Sequence, residues 1–408
     1  MESMNANLPI RHRWGKIWRI VFLVSTVFAM VVLTILILDT ANDAFGYAVI
    51  EAKVSPDTLT ETGTPLVALT ADQLNAILTD HLSANRIKTL NKEKPLAERT
   101  QAELLEIVVA EIVKPKVQQT WGLYDSVFNK DAIFAEASQE YPDAELEFMT
   151  WLGRYFIKSP QSSDPLYAGV RTAILGSIYV IVITILVAFP IGIGASVYLQ
   201  EYATKNWINR LIQANINNLA GVPSIIYGML GLTVFVRLLA TITSGALANY
   251  PGADPHNGRT ILSAGLTMAL LVLPVIIING QEAIKAVPNS LREAGFGVGA
   301  TKWQTIWSHV LPNAISGILT GTVLAMSRAF GETAPLVIIG ASTYITFDPN
   351  SVFSKFTTLP IQIYQWTSRP QDEFHNLAAA GIIILLIILL ALNGIAIVLR
   401  NKFARRMA

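Results

Sequence analysis

Six long apolar stretches divide this chain: 17–38, 171–199, 219–239, 261–278, 313–341 and 377–399. Crossing the hydrocarbon of a bilayer takes roughly 20 apolar residues in a helix. Inside lipid no water satisfies the backbone, so each stretch must bond within itself. The pattern predicts an all-α, polytopic protein with six transmembrane helices in a lipid bilayer. Only 14% of the residues are charged and 52% are hydrophobic, against about 25% charged in a soluble domain. The first stretch exceeds the core of a cleaved signal peptide, about 7–15 residues, and is read as a retained helix. Lys and Arg fix the orientation. Arg11, Arg13, Lys16 and Arg19 precede or open the first stretch, and Arg400, Lys402, Arg405 and Arg406 follow the last. The short outer loops hold Lys355 and Arg369, with Arg259 at one border. Both termini are expected in the cytoplasm.

Between the first two stretches, residues 39–165 carry 20 acidic and 11 basic residues, a net of −9, while the rest of the chain nets +10. This acidic block reads as a water-facing insert. Thr70 with Gln73 and Thr100 with Glu103 match the capping box, in which hydroxyl and carboxyl or amide satisfy free N–H groups at a helix start. Leu74, Ile77, Leu78 and Leu82 recur at helical spacing, as do Leu104, Ile107, Val108 and Ile112. The expected organisation is a tail and first helix over 1–38, a mainly helical extracytoplasmic insert over 39–165, and a five-helix core over 166–408. The insert's acidic faces are read as solvated surface.

Several chemistries are excluded. The chain has no cysteine, and its five histidines are scattered without an i,i+4 pair, so neither thiolate chemistry nor a histidine metal site has support. The run GFGVGATKWQ at Gly295 lacks the Gly-Lys-Ser/Thr core of a phosphate loop, and neither GxSxG nor HExxH occurs. No enzyme, cofactor, metal or nucleic-acid partner is expected. If the chain moves a solute uphill, another subunit supplies the energy.

The polar loop 281–312 reads, from its residues alone, as an ordinary cytoplasmic loop, or else as the place where that subunit would dock. Pro288, Asn289 and Ser290 signal a helix start, with a short helix over 291–294. Gly295, Gly297 and Gly299 are then expected to break it, and Leu311-Pro312 to act as a stop. The run Glu293-Ala294-Gly295, three residues, Gly299, nine residues, then His309-Val310-Leu311-Pro312 resembles the EAA motif of ABC-importer permeases. Gly295 stands where the motif has a second Ala, and His309 where it has Ile. The spacing of Glu293, Ala294, Gly299, Leu311 and Pro312 is intact. The resemblance implies that 293–299 contacts an ATPase.

Arg328 and Glu332 interrupt the fifth stretch. Arg328 lies 16 residues past Pro312, about 24 Å along a helix. A charge there costs at least about 2.5–3.5 kcal/mol on insertion scales, so it should face protein or water. Spacing i,i+4 lets the two pair. They either lock helices together or offer a cation to a passing anion, for which the planar fork of Arg is suited. Pro335 can bend the helix beyond them.

The run GETAPL after Arg328, with AGVRTAILGS at Ala168, FPIGIGASVYLQEYA at Phe189 and NLAGVPSIIYGMLGL at Asn218, resembles the PstA-type permeases of bacterial phosphate ABC importers, MetI-like in architecture. That resemblance implies a plasma (inner) membrane subunit and the transport of inorganic phosphate, with Arg328 and Glu332 on the family's charged positions. It implies three partners: a PstC-type second permease, a PstB-type ATP-binding dimer and an extracytoplasmic phosphate-binding protein. The insert is larger than the family leads one to expect. Two alternatives stay open at this point: a permease for sulfate or molybdate, and a non-transporting membrane sensor with the acidic insert as receptor.

Overall fold

The computed structural model describes residues 8–60, 64–142, 144–341 and 344–405. The start of the polar tail, the opening of the last outer loop (342–343) and Arg406 of the closing basic cluster lie outside these. The chain divides into two compact units, Met1–Leu152 with Gln371–Ala380, and Gly153–Pro370 with Gly381–Ala408.

The first unit opens with helix α1, Leu8–Ala44, longer at both ends than its apolar stretch. Its hydroxyls bond inward, as lipid requires: Ser25 Oγ donates to the Val21 carbonyl at 2.9 Å and Thr34 Oγ1 to that of Met30 at 2.9 Å. Strand β1 (Phe45–Ala52) follows at once. Helices α2 (Ala71–His81), α3 (Ala84–Glu93) and α4 (Gln101–Val108) come next, α4 running into a π-helical turn at Val109–Val113. Both capping boxes are present, on Thr70 and Thr100. Leu74, Leu78, Leu90, Leu104, Val108 and Ile112 form the core between these helices, with Ile77, Leu82 and Ile107 packed against it. Truncating Leu104, 1% exposed, to Ala should cost about 2–5 kcal/mol.

Strand β2 (Pro115–Thr120), helices α5 (Leu123–Phe128) and α6 (Lys130–Glu140) and strand β3 (Glu145–Thr150) complete the insert. The strands form one antiparallel sheet in the order β2-β1-β3. Ala48 pairs with Thr120 on one side and Glu147 on the other, and the β2 register shifts by a bulge between Val49 and Ile50. This sheet is an addition to the helical insert expected from sequence. Strand preference depends on cross-strand packing, and here the partners are remote in the chain.

The second unit holds α7 (Arg154–Lys158), α8 (Arg171–Val197, ending in a π-helical turn at Tyr198–Tyr202), α9 (Trp207–Ala220), α10 (Ser224–Gly231, continued by a π-helical turn at Leu232–Leu238) and α11 (Ala240–Thr243). After these come α12 (Ile261–Lys285), α13 (Asn289–Gly297), α14 (Lys302–Thr305), α15 (Leu311–Gly331), α16 (Ala334–Ile339), α17 (Leu359–Thr367) and the part of α18 (Asp372–Arg405) that follows Ala380.

Helix α12 is the centre of this unit, packed between α8 and α15. Small residues let the backbones approach. A Cβ on Gly265 would meet Ile183 at 2.5 Å, one on Gly192 would meet Ile276 at 2.6 Å, and one on Gly280 would meet Ser196 at 2.3 Å. Two buried hydroxyls cross the same seam: Ser196 Oγ donates to the Ile277 carbonyl at 2.9 Å and Thr184 Oγ1 to that of Gly265 at 3.2 Å. On the α15 side, a Cβ on Gly321 would meet Asn279 at 2.3 Å.

Among the described residues, five helices are long and apolar enough to cross a membrane. The sixth predicted span is a bent pair, α9 and the helix Ser224–Leu238, meeting at 106°. Helix α9 is amphipathic and buries no residue fully. The span proper thus starts near Ser224, later than the apolar stretch at 219 suggests. The fifth stretch is not one helix. Pro335 would clash with the Gly331 carbonyl, so α15 ends there and Glu332 is extended (φ −75°, ψ 122°). Leu311-Pro312 is no stop, because the helix runs through from Lys302 to Gly331. A π-helical turn at Ile306–Val310 widens the backbone before the proline, and Asn313 Nδ2 donates to the His309 carbonyl at 2.6 Å.

In the insert, Lys94 Nζ donates to both Glu103 oxygens at 2.9 Å and the Thr100 N–H donates to Oε2 at 2.6 Å. These bonds, Lys94 first, pull the Glu103 carboxyl from its ordinary 4.5 down to about 2. A carboxyl whose pKa is lower in the folded chain stabilises above its unfolded value and loses that effect as pH falls through the folded one. Hydrogen-exchange protection of α4 in the full chain should therefore fall between about pH 4.5 and 2, and Glu103→Gln should flatten that part of the dependence.

Candidate functional site

Helix α13 starts after Pro288, where the sequence signalled, but continues through Gly295 to Gly297. Gly299 then turns the chain with φ +80°, a conformation glycine adopts without strain. Glu293, Ala294 and Gly299 are exposed, while Leu311 and Pro312 are half-buried at the start of α15. Phe296 (48%) and Val298 (83%) are also exposed, so this end of the loop offers an apolar surface beside the Glu293 carboxylate.

The departure at Gly295 has a physical reason. Gly295 is buried, and a Cβ there would meet Thr305 Oγ1 at 2.7 Å and Cγ2 at 2.9 Å. Thr305 is itself 1% exposed. Where the EAA motif has Ala, this chain has room only for Gly because Thr305 fills the space.

Nothing in the sequence singles out Arg292 or Glu201. The structure joins them. Arg292 Nη2 and Nε donate to Glu201 Oε1 at 2.7 and 3.1 Å, with side-chain exposures of only 15% and 9%. The same guanidinium donates to the carbonyls of Ile284 at 2.9 Å and Val287 at 2.7 Å. It thus ties the last turn of α12 and the residue just before α13 to the turn that ends α8. Lys302 Nζ lies 5.0 Å above the Tyr202 ring, a second tie to that turn. Beneath the loop, Val197, Ile284, Val287, Ile306 and Val310 form a buried cluster, with Leu291 of α13 packed on it. Ninety-one positions separate Arg292 from Glu201, and no local pattern marks the pairing.

At the other end of α15, Arg328 Nε is 3.4 Å from Glu332 Oε1, with side-chain exposures of 48% and 21%. The expected i,i+4 pair exists, but across the end of a helix. Arg328 sits in the last turn, where the helix dipole favours a cation. Ser327 Oγ donates to Asn393 Oδ1 of α18 at 2.6 Å. The Tyr227 hydroxyl of α10 donates to the Leu219 carbonyl at 2.8 Å. The loop 281–312 and the charged pair are therefore separate features at opposite ends of α15.

Residues 188–408, more than half of the chain and including both features, match the family described as binding-protein-dependent transport system inner membrane component. The chain belongs to that family. It is a permease subunit of an ABC transporter, a transport component and not an enzyme. Similar proteins include the probable ABC transporter permease protein YqgH of Bacillus subtilis, 33% identical over 59% of this chain and 73% of that one. The phosphate transport system permease protein PstA of Yersinia pestis is 32% identical over 57% of the chain and 73% of its own length. The phosphate transport system permease protein PstC of Xylella fastidiosa is 31% identical over 58% of the chain and 75% of its own. This permease is a multi-pass inner-membrane component.

In the permease, Gly295→Ala should overpack the α13–α14 contact, at a cost of about 1–3 kcal/mol. The melting temperature of the purified subunit should drop, and adding Thr305→Ala should recover most of the loss. An unchanged single variant would show that the loop yields freely at this point.

Proposed function

We propose that this chain is the PstA-type membrane subunit of an ATP-driven phosphate importer. It forms the pathway with a PstC-type permease, receives phosphate from an extracytoplasmic binding protein, and couples through 281–312 to a PstB-type ATP-binding dimer. The cargo reading is carried by one observation: a half-exposed arginine, Arg328, held by Glu332 at a helix break, in a chain whose relatives include phosphate permeases. Relatives named PstA and PstC match to a similar degree, so both support phosphate. The PstA-type assignment rests on the stretches that begin at Ala168, Phe189 and Asn218 and on GETAPL after Arg328. Glu293, Ala294, Gly299, Leu311 and Pro312 frame the contact with the ATPase, and Arg328 and Glu332 belong to the substrate pathway.

Both ion-pair partners are polar groups that lipid would penalise, and an exposed guanidinium is a ready bidentate donor to a tetrahedral oxyanion. Glu332 keeps the fork in place when the path is empty. Both termini lie in the cytoplasm and 39–165 lies outside, in keeping with the Lys/Arg distribution.

Arg328→Ala, in a variant that still reaches the membrane at normal level, should lower uptake of radiolabelled phosphate at least ~10-fold, the effect of removing a charge-assisted hydrogen bond of about 1.4 kcal/mol or more. Arg328→Lys should retain part of it, because charge remains while the fork does not. Unchanged phosphate uptake in the alanine variant would remove Arg328 from the pathway. Competition by sulfate and molybdate separates this cargo from the other oxyanions.

A further inference from the structure

We infer that Arg292 is the positioning residue through which the docking helix moves the membrane helices. The inference rests on the docking role of 281–312 and names the interaction that makes docking productive. Arg292 belongs to α13, one residue before the exposed Glu293-Ala294 pair. Its guanidinium reaches three places at once: Glu201 in the turn ending α8, the Ile284 carbonyl in the last turn of α12, and the Val287 carbonyl just before α13. A lysine could not hold all three, since one ammonium lacks the planar five-donor fork. Low exposure of both side chains keeps the pair out of reach of salt screening.

The bundle does not need this pair to assemble. Helices α8 and α12 are already joined by the Gly192, Gly265 and Gly280 approaches and by the Ser196 and Thr184 hydroxyls. Arg292 instead fixes where α13 sits against them. A force applied at the exposed Phe296 and Val298 is thereby delivered to α8 and α12 together. Helix α12 passes it on, because it touches α15 at Gly321–Asn279 and α10 at Gly231–Thr267. Without the Arg292 grip, α13 still presents its outer face, but its displacement is taken up by slack at its root.

The test uses the assembled transporter in lipid vesicles, with its ATP-binding subunit, binding protein and inorganic phosphate. It reads ATP hydrolysed per phosphate imported in Arg292→Lys, Glu201→Gln and the double variant. Each single variant should keep the ATP-binding subunit and raise this ratio at least ~10-fold. Because both act through one interaction, the double variant should stay within about 3-fold of the worse single one. A normal ratio in either single variant overturns the inference, as does multiplication of the two effects in the double. Dissociation of the ATP-binding subunit from the purified complex in all three also overturns it, since the pair then secures docking alone. A wild-type complex that carries sulfate or molybdate but not phosphate defeats the cargo reading only, and the ratio is then read with that anion.

Discussion

The seam between α8 and α12 is the constraint on which the second unit depends. In lipid, helices gain nothing from hiding apolar surface from each other, so close van der Waals approach and hydrogen bonds must hold them. Three glycines supply the closeness and two buried hydroxyls the bonds. A methyl group at Gly265 or Gly280 would force the backbones apart. Helix α12 can then serve as a common wall for α8, α10 and α15. The C-terminal ends of α8 and α12 come side by side, which is what lets one arginine hold both.

The two candidate features share α15 and sit about 24 Å apart along it. Its start is continuous with the loop 281–312 and its end carries Arg328. Each is marked by a departure from regular helix: a π-helical turn before Pro312 at the start, and the break before Pro335 at the end. Proline causes both, through a missing N–H and a clash with the preceding turn. Binding-protein-dependent permeases must link an energy-using surface to a solute path. A helix with altered geometry at both ends, packed on a rigid central wall, gives this chain a means to do so.

Much of this was legible in the sequence, for physical reasons. The apolar stretches were visible because lipid imposes length and composition, and the insert's caps because Thr70–Gln73 and Thr100–Glu103 are local chemistry. The short helix after Pro288 was visible through its start signal. What escaped were features set by pairings between distant residues. Strand β1 pairs with β2 and β3 far along the chain, Glu201 meets Arg292 across 91 positions, and Gly295 answers to Thr305. The prolines could be seen, but a stop was expected at Pro312 and only a bend at Pro335. At Pro312 the preceding turn widens and the helix goes on, whereas at Pro335 it ends.

If the loop carrying Glu293 is the surface on which an ATP-binding subunit docks, a probe placed on that loop should reach the subunit. The chain has no cysteine, so Val298→Cys places a single thiol on a residue of that surface that is 83% exposed. It can be coupled to a maleimide photocrosslinker and irradiated in native membranes. A covalent adduct with the ATP-binding subunit is expected, with a yield that changes when ATP is added. Adduct formation with lipid or no partner at all, in membranes where the transporter is active, would contradict it.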